Sequence, residues 1–110
     1  MQKNSLSWIV STLLLLPTLA YANETRCGWI ENDMPAGMTL TDADGEWVIA
    51  TMTETAEGFE QNMPAINKRT ACGCLLVDTD KGSRSIVKIY GGKVLQYKVC
   101  RADKNLVKGG

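Results

Sequence analysis

Histidine is absent from this 110-residue chain. That removes the side chain most often used as general base, proton shuttle and metal ligand, and with it most nucleophile–base pairs. No nucleophile motif or phosphate-cradling glycine loop replaces it, so enzymatic activity is not expected and no cofactor is implied. Charge of one sign is also lacking: 12 basic and 12 acidic residues balance, and no block of like charge forms an interaction tail. A chain without a basic field has little to recruit nucleic acid or an anionic membrane. Repeats and low-complexity segments are missing too. The longest apolar run, Leu6 to Leu16, falls short of the roughly 20 residues a membrane-spanning helix needs.

That run has another use. Lys3 precedes it, Pro17 ends it and Ala20-Tyr21-Ala22 follows, which is the charged, apolar and small-residue order of a secretory signal peptide. Residues 1–22 are read as that signal, cleaved after Ala22, and residues 23–110 as a single small β domain. Cys27 follows Glu24-Thr25-Arg26, without the small apolar residues expected before a lipid-modified cysteine, so no stable membrane anchor is expected after cleavage. Losing Lys3 leaves the remaining chain one charge to the acidic side. A domain of this size is only marginally held by one core and needs staples.

Four cysteines are present, Cys27, Cys72, Cys74 and Cys100, and an even number in a short exported chain reads as a disulfide framework. Ala71–Asp78 has the pattern of a strand. There, residues two apart share a face with Cα atoms about 6.7 Å apart, whereas a disulfide wants its Cβ atoms within about 4.5 Å. Cys72 and Cys74 are therefore expected to reach different partners, and the loop entropy of the separate pairings leans the same way, about 7–8 kcal/mol against about 6. Which goes to which is open. The rival use of the Cys-Gly-Cys pair is a soft-metal site for Cu(I), with thioethers from Met34 and Met38, or thiol redox chemistry. Scattered methionines more often fill a core, and a strand offers no helix dipole to activate a thiolate.

Along the chain, Asn32 to Gly37 is turn-rich. Met38–Thr41 and Glu46–Met52 flank Asp42-Ala43-Asp44-Gly45, a hairpin signal. The Asp-x-Asp-Gly step fails as a calcium loop, because aligning Gly45 with the required glycine puts Leu40 at the first ligand position and Thr51 where a bidentate Glu must stand. Residues 53–70 form one long irregular loop with at most a helical turn. Ala71–Asp78 and Arg84–Tyr90 flank a second turn, Asp80 to Ser83, and Lys93–Cys100 follows Gly91-Gly92 as a fifth strand. Leu75 and Val77 fall on the face opposite Cys72, Cys74 and Leu76. The fold expected is mainly β: a small, disulfide-stapled antiparallel sheet of about five strands.

The segments "RCGWIEN", "LTDADGEWVIA", "CGCLLVDTD" and "CRADKNL" together resemble an uncharacterised family of small secreted bacterial proteins known only as a domain of unknown function. Its landmarks match Cys27-Gly28-Trp29, Thr41-Asp42 with Asp44-Gly45 and Trp47, Cys72 with Cys74, and Cys100-Arg101-Ala102-Asp103. The resemblance implies export to the bacterial envelope, periplasmic or secreted, and oxidised cysteines. It implies no activity.

The function these features favour is a small binding module, in the manner of an envelope inhibitor or immunity protein acting on a partner protein. A rigid scaffold loses little ordering entropy on docking. Candidate contact residues are Trp29, Phe59 and Arg101, since aromatics and Arg dominate hot spots, although Trp29 and Trp47 also suit a core short of large apolar side chains. The clustered carboxylates Asp42, Asp44 and Glu46 would need a cleft to act on a substrate.

Overall fold

The computed structural model describes residues 23–106; the expected signal peptide and residues 107–110 lie outside the described residues. Five strands and two short helices follow one another along the described residues. They are β1 (Glu24–Asn32), β2 (Gly37–Asp42), β3 (Gly45–Thr51), α1 (Phe59–Asn62), β4 (Thr70–Asp80), β5 (Ser85–Leu95) and α2 (Tyr97–Ala102). The strands close into a barrel in the order β1-β2-β3-β5-β4. Strands β1 to β3 form an antiparallel meander, β4 and β5 form one long hairpin, and β1 joins β4 antiparallel over Glu24–Glu31. One pairing is parallel, Val48 against Ser85, and it closes the ring. Five-stranded Greek-key barrels of this general form include the OB-folds, though a fold alone assigns no activity.

The closure is completed by a segment the sequence reading placed in a loop. After β3 the chain turns back, and Ala56 N–H donates to the Ile49 carbonyl (3.0 Å) while Glu57 N–H donates to that of Val87 (2.9 Å). Ile89 N–H donates in return to the Glu57 carbonyl (2.8 Å). Residues 54–57 thus fill the gap that opens between β3 and β5 beyond their one parallel bridge. Gly58, with φ 81°, then turns the chain into α1. Phe59, Met63 and Ile66 pack on the barrel core from this side.

Two elements differ from expectation. β1 is a strand, and the expected strand Lys93–Cys100 is not: its first three residues prolong β5 and its last four lie in α2. Gly91-Gly92 does not end β5, because the strand bulges there and continues, the pairing slipping between Leu76 and Val77. A Cβ at Gly92 would lie 2.5 Å from Leu75 Cδ2 and 2.7 Å from the Cys74 carbonyl oxygen. Glycine is what lets the two strands stay in register through the bend.

Inside the barrel, Ile30, Leu40, Trp47, Ile49, Leu75, Val77, Ile86 and Ile89 form the main core. Burial of each such side chain contributes about 1.5–3 kcal/mol. A second, smaller cluster lies on the outer face, where Trp29 pairs across the strands with Cys72 and packs with Cys100, Leu95 and Leu106. Cys27 bonds Cys74 between directly opposed positions of β1 and β4, and Cys72 bonds Cys100. The two central sulfurs do go to different partners. The second bond clamps α2 onto the barrel wall, a helix too short to hold itself.

Candidate functional site

Two regions collect the cationic side chains, and they are built differently. The first is the corner where the β2–β3 hairpin meets β1. Arg26 is buried and reaches three carboxylates: Asp42 at 2.7 Å, Asp44 at 3.1 Å and Glu24 at 2.7 Å. Asp42 Oδ1 also accepts from the Trp47 indole N–H (3.1 Å) and from the Asp44 backbone N–H (2.9 Å). The guanidinium carbons of Arg26 and Arg84 stand 4.1 and 3.9 Å over the Trp47 ring centroid. Two groups that close to one centroid cannot share a face, so the indole is sandwiched between them, each contact worth about 0.5–2 kcal/mol.

Local geometry explains why the sequence folds so here. The Asx turn from Asp42 to Asp44 and the positive φ of Gly45 (115°) make the hairpin. Arg84 takes a left-handed backbone (φ 57°) at the end of the β4–β5 turn and donates to the Asp44 carbonyl (2.6 Å). Burial by itself would lower the Arg26 pKa, but its hydrogen bonds to Asp42 and Asp44, with the charges of Asp42 and Glu24, outweigh that and raise it above its ordinary value. Asp42 and Asp44 are thus committed to Arg26. The carboxylate cluster of the sequence is a structural clasp, with Glu46 exposed beside it.

The second region is the end of β5 with α2. Val94, Tyr97 and Val99 are 47%, 37% and 49% exposed and close together in the chain, whereas the other exposed large apolar residues, Met34, Met52, Leu76, Val87 and Tyr90, lie elsewhere along it. Lys93, Lys98, Arg101 and Lys104 lie on the same stretch, with Asp103 as the one acidic residue among them. None of these four cations is in an ion pair among the described residues, where the paired cations are Arg26, Arg69 and Lys88. A groove of about 300 Å³ runs alongside, walled by Ile66 and Lys68 on one side and by Val94, Leu95 and Tyr97 on the other. The Tyr97 ring meets Trp29 edge-on at 4.8 Å beneath, and Arg101 lies 5.6 Å over the Tyr97 ring.

The residues singled out from sequence fall out as follows. Trp29 is 2% exposed, so it supports α2 from below and is not a surface contact. Phe59 is half-buried against the barrel core. Arg101 is exposed on α2, over the Tyr97 ring. The copper alternative does not assemble: Cys72 and Cys74 are both in disulfides and no free cysteine exists among the described residues. Met34 is 40% exposed in the β1–β2 turn while Met38 is buried in the core, so their thioethers serve different surroundings. Among the described residues no group of three or more Asp, Glu and Cys side chains is placed to hold a metal ion.

Sequence reasoning missed Val94, Tyr97 and Val99, because it read their segment as a strand. The available signal, for Tyr97 alone, was its spacing from Cys100 and Arg101, which puts the three on one side of a helical turn. On a run this short, with β-branched valines in it, that period competes with alternation.

One more arrangement lies along β5. Asp78 is buried on β4 and accepts a hydrogen bond from the Tyr90 hydroxyl at 2.7 Å. That bond, then burial and the Asp78 charge, push the Tyr90 phenol above its ordinary pKa. Lys88 sits beside it, 4.9 Å over the Tyr90 ring and 3.7 Å from the Glu57 carboxylate.

No curated protein and no solved structure is similar enough to this chain to count as a match. A family does match, over residues 21–107, which takes in all four cysteines, the Arg26–Trp47 clasp and the α2 face. The chain belongs to the family described as "Protein of unknown function (DUF4087)".

Proposed function

We propose that this protein is a small binding module of the bacterial cell envelope, periplasmic or secreted, that docks on a partner protein through the face made by the end of β5 and α2, as an inhibitor or immunity-type protein would. One observation carries this reading. Three apolar side chains, Val94, Tyr97 and Val99, are held exposed among unpaired cations on a segment tied to the barrel by the Cys72–Cys100 bond. An apolar centre with a charged rim is the anatomy of a protein interface, and the covalent clamp keeps it ordered before docking.

The compartment fits. Two disulfides in so small a domain suit a non-reducing environment outside the cytoplasm, and the signal-like order of residues 1–22 suits export. The outer face of β2 and β3, which OB-type barrels use for oligonucleotides and oligosaccharides, carries Thr39, Thr41, Glu46 and Val48 here. Its one nearby indole, Trp47, is turned inward and sandwiched. That leaves the β2–β3 face without a stacking platform for bases, which favours a protein partner.

The test is affinity capture from envelope extract with the oxidised protein beside a Val99→Asp/Arg101→Glu double variant of unchanged circular dichroism. A partner retained by the native protein and lost by the variant is the expected result. Equal retention, or nothing above background, overturns the proposal.

A further inference from the structure

Among the described residues, β5 runs on past the point where β3 closes the barrel against it. β5 has β4 on one side for its whole length, Ser85 to Leu95. On its other side it pairs with β3 at Ser85 and with residue Glu57 at Lys88, and the Asn62 side chain of α1 donates to the Ile89 carbonyl at 2.9 Å. Among the described residues no strand pairs with that second edge from Tyr90 to Leu95, and no backbone hydrogen bond from outside the hairpin reaches it. Alternate residues of an edge strand aim their N–H and C=O groups outward, so this stretch displays unmade hydrogen bonds.

The molecule shows what this edge accepts. Just below, the chain lays Glu57 against β5 by main-chain hydrogen bonds from Glu57 to Val87 and from Ile89 to Glu57. The acidic side chain of Glu57 turns to Lys88 at 3.7 Å. The strip stops there, because Gly58 turns the chain away into α1. Beyond it the same kind of edge continues with Lys93 exposed and unpaired, Val94 exposed, and the apolar groove by Ile66 and Tyr97 alongside.

Resting on the binding-module reading, we infer that the free edge of β5 from Gly91 to Leu95 takes an extended, acidic segment of the partner protein as an added strand. Main-chain bonds supply affinity and alternate side chains supply selectivity, as in β-strand addition generally. Carboxylates of the incoming segment face Lys93, Lys68 and Lys98, and an apolar side chain enters the groove between Ile66 and Tyr97. A second copy of this chain is the wrong occupant. Antiparallel pairing of two such edges would bring the Lys93 ammoniums and their basic surroundings together, a charge arrangement that opposes edge-to-edge association.

The probe is the peptide Glu-Val-Glu-Thr-Glu-Val-Glu, titrated into isotope-labelled, oxidised protein and followed by amide shifts and hydrogen exchange. Shifts and slowed exchange at Gly91–Leu95 are expected, with affinity at least tenfold weaker for Lys93→Glu and lost when alternate peptide amides are N-methylated. Binding that survives N-methylation, a Lys-for-Glu peptide that binds equally, shifts confined to another face, or no binding at all overturns the inference. So does a protein dimer that Lys93→Glu abolishes. A captured envelope partner that binds Lys93→Glu and native protein alike would sink the strand-addition mode and leave the binding module standing; failure to capture any partner would sink the module itself.

Discussion

The corner around Arg26 and the face around Arg101 use the same kinds of residue for opposite ends. At the corner, a buried guanidinium meets three carboxylates and a Trp ring, and the indole N–H is also satisfied. At the face, an exposed guanidinium stands over an exposed Tyr ring among lysines with no carboxylate engaged. Charges that are buried and paired hold the hairpin to β1. Charges left solvated and unpaired add little to the fold and remain available to another molecule.

The comparison breaks most visibly at the corner. Arg26→Met should strand the buried Asp42 carboxylate without its cation and cost about 3–5 kcal/mol, read as a lowered urea midpoint with the disulfides intact. Next comes the clamp. Cys72→Ser/Cys100→Ser, which removes a bond spanning 28 residues, should cost about 3.5 kcal/mol on the chain-entropy estimate. It should also release α2, seen as loss of amide protection at Tyr97–Ala102 while the barrel amides remain protected.

A smaller effect is confined to alkaline pH. The folded-state pKa of Tyr90 is raised, so its contribution to stability is fully present below the unfolded value near about 10 and is lost as pH rises through the folded one. Urea midpoints should therefore hold steady to about pH 9 and fall beyond about pH 10. Tyr90→Phe should make that fall shallower. The smallest change in stability is expected on the face itself: Lys98→Glu or Arg101→Glu should move unfolding by no more than about 0.5 kcal/mol, while partner capture is lost. A large destabilisation there would erase the distinction between the two regions.

The two turn motifs were legible because their chemistry is local. Asp42 to Gly45 and Asp80 to Ser83 turn where carboxylates can bond to nearby backbone, and in the first of them a glycine, Gly45, takes a positive φ. The alternation on β4 was legible too, with Leu75 and Val77 inward and Cys72 in the outer cluster, since side-chain period depends on the strand alone. β1 was harder to see, because Arg26, Cys27 and Gly28 carry no alternation of hydrophobicity. Its register comes from partners that are distant in sequence, Cys74 and Thr41 among them.

By itself, then, the amino-acid order determined the kind of protein: a mainly β domain with two local hairpin turns, and cysteines spaced so that the central pair is expected to part. Only the folded chain decided that Cys27 goes to Cys74 and Cys72 to Cys100, that residues 54–57 mend the barrel wall, and that Lys93–Cys100 divides between a strand end and a helix. The reason is range. Turn and pleat energies are set within a few residues, whereas pairing, closure and the clamp depend on which distant surfaces meet, and that is settled by burial summed over the whole barrel.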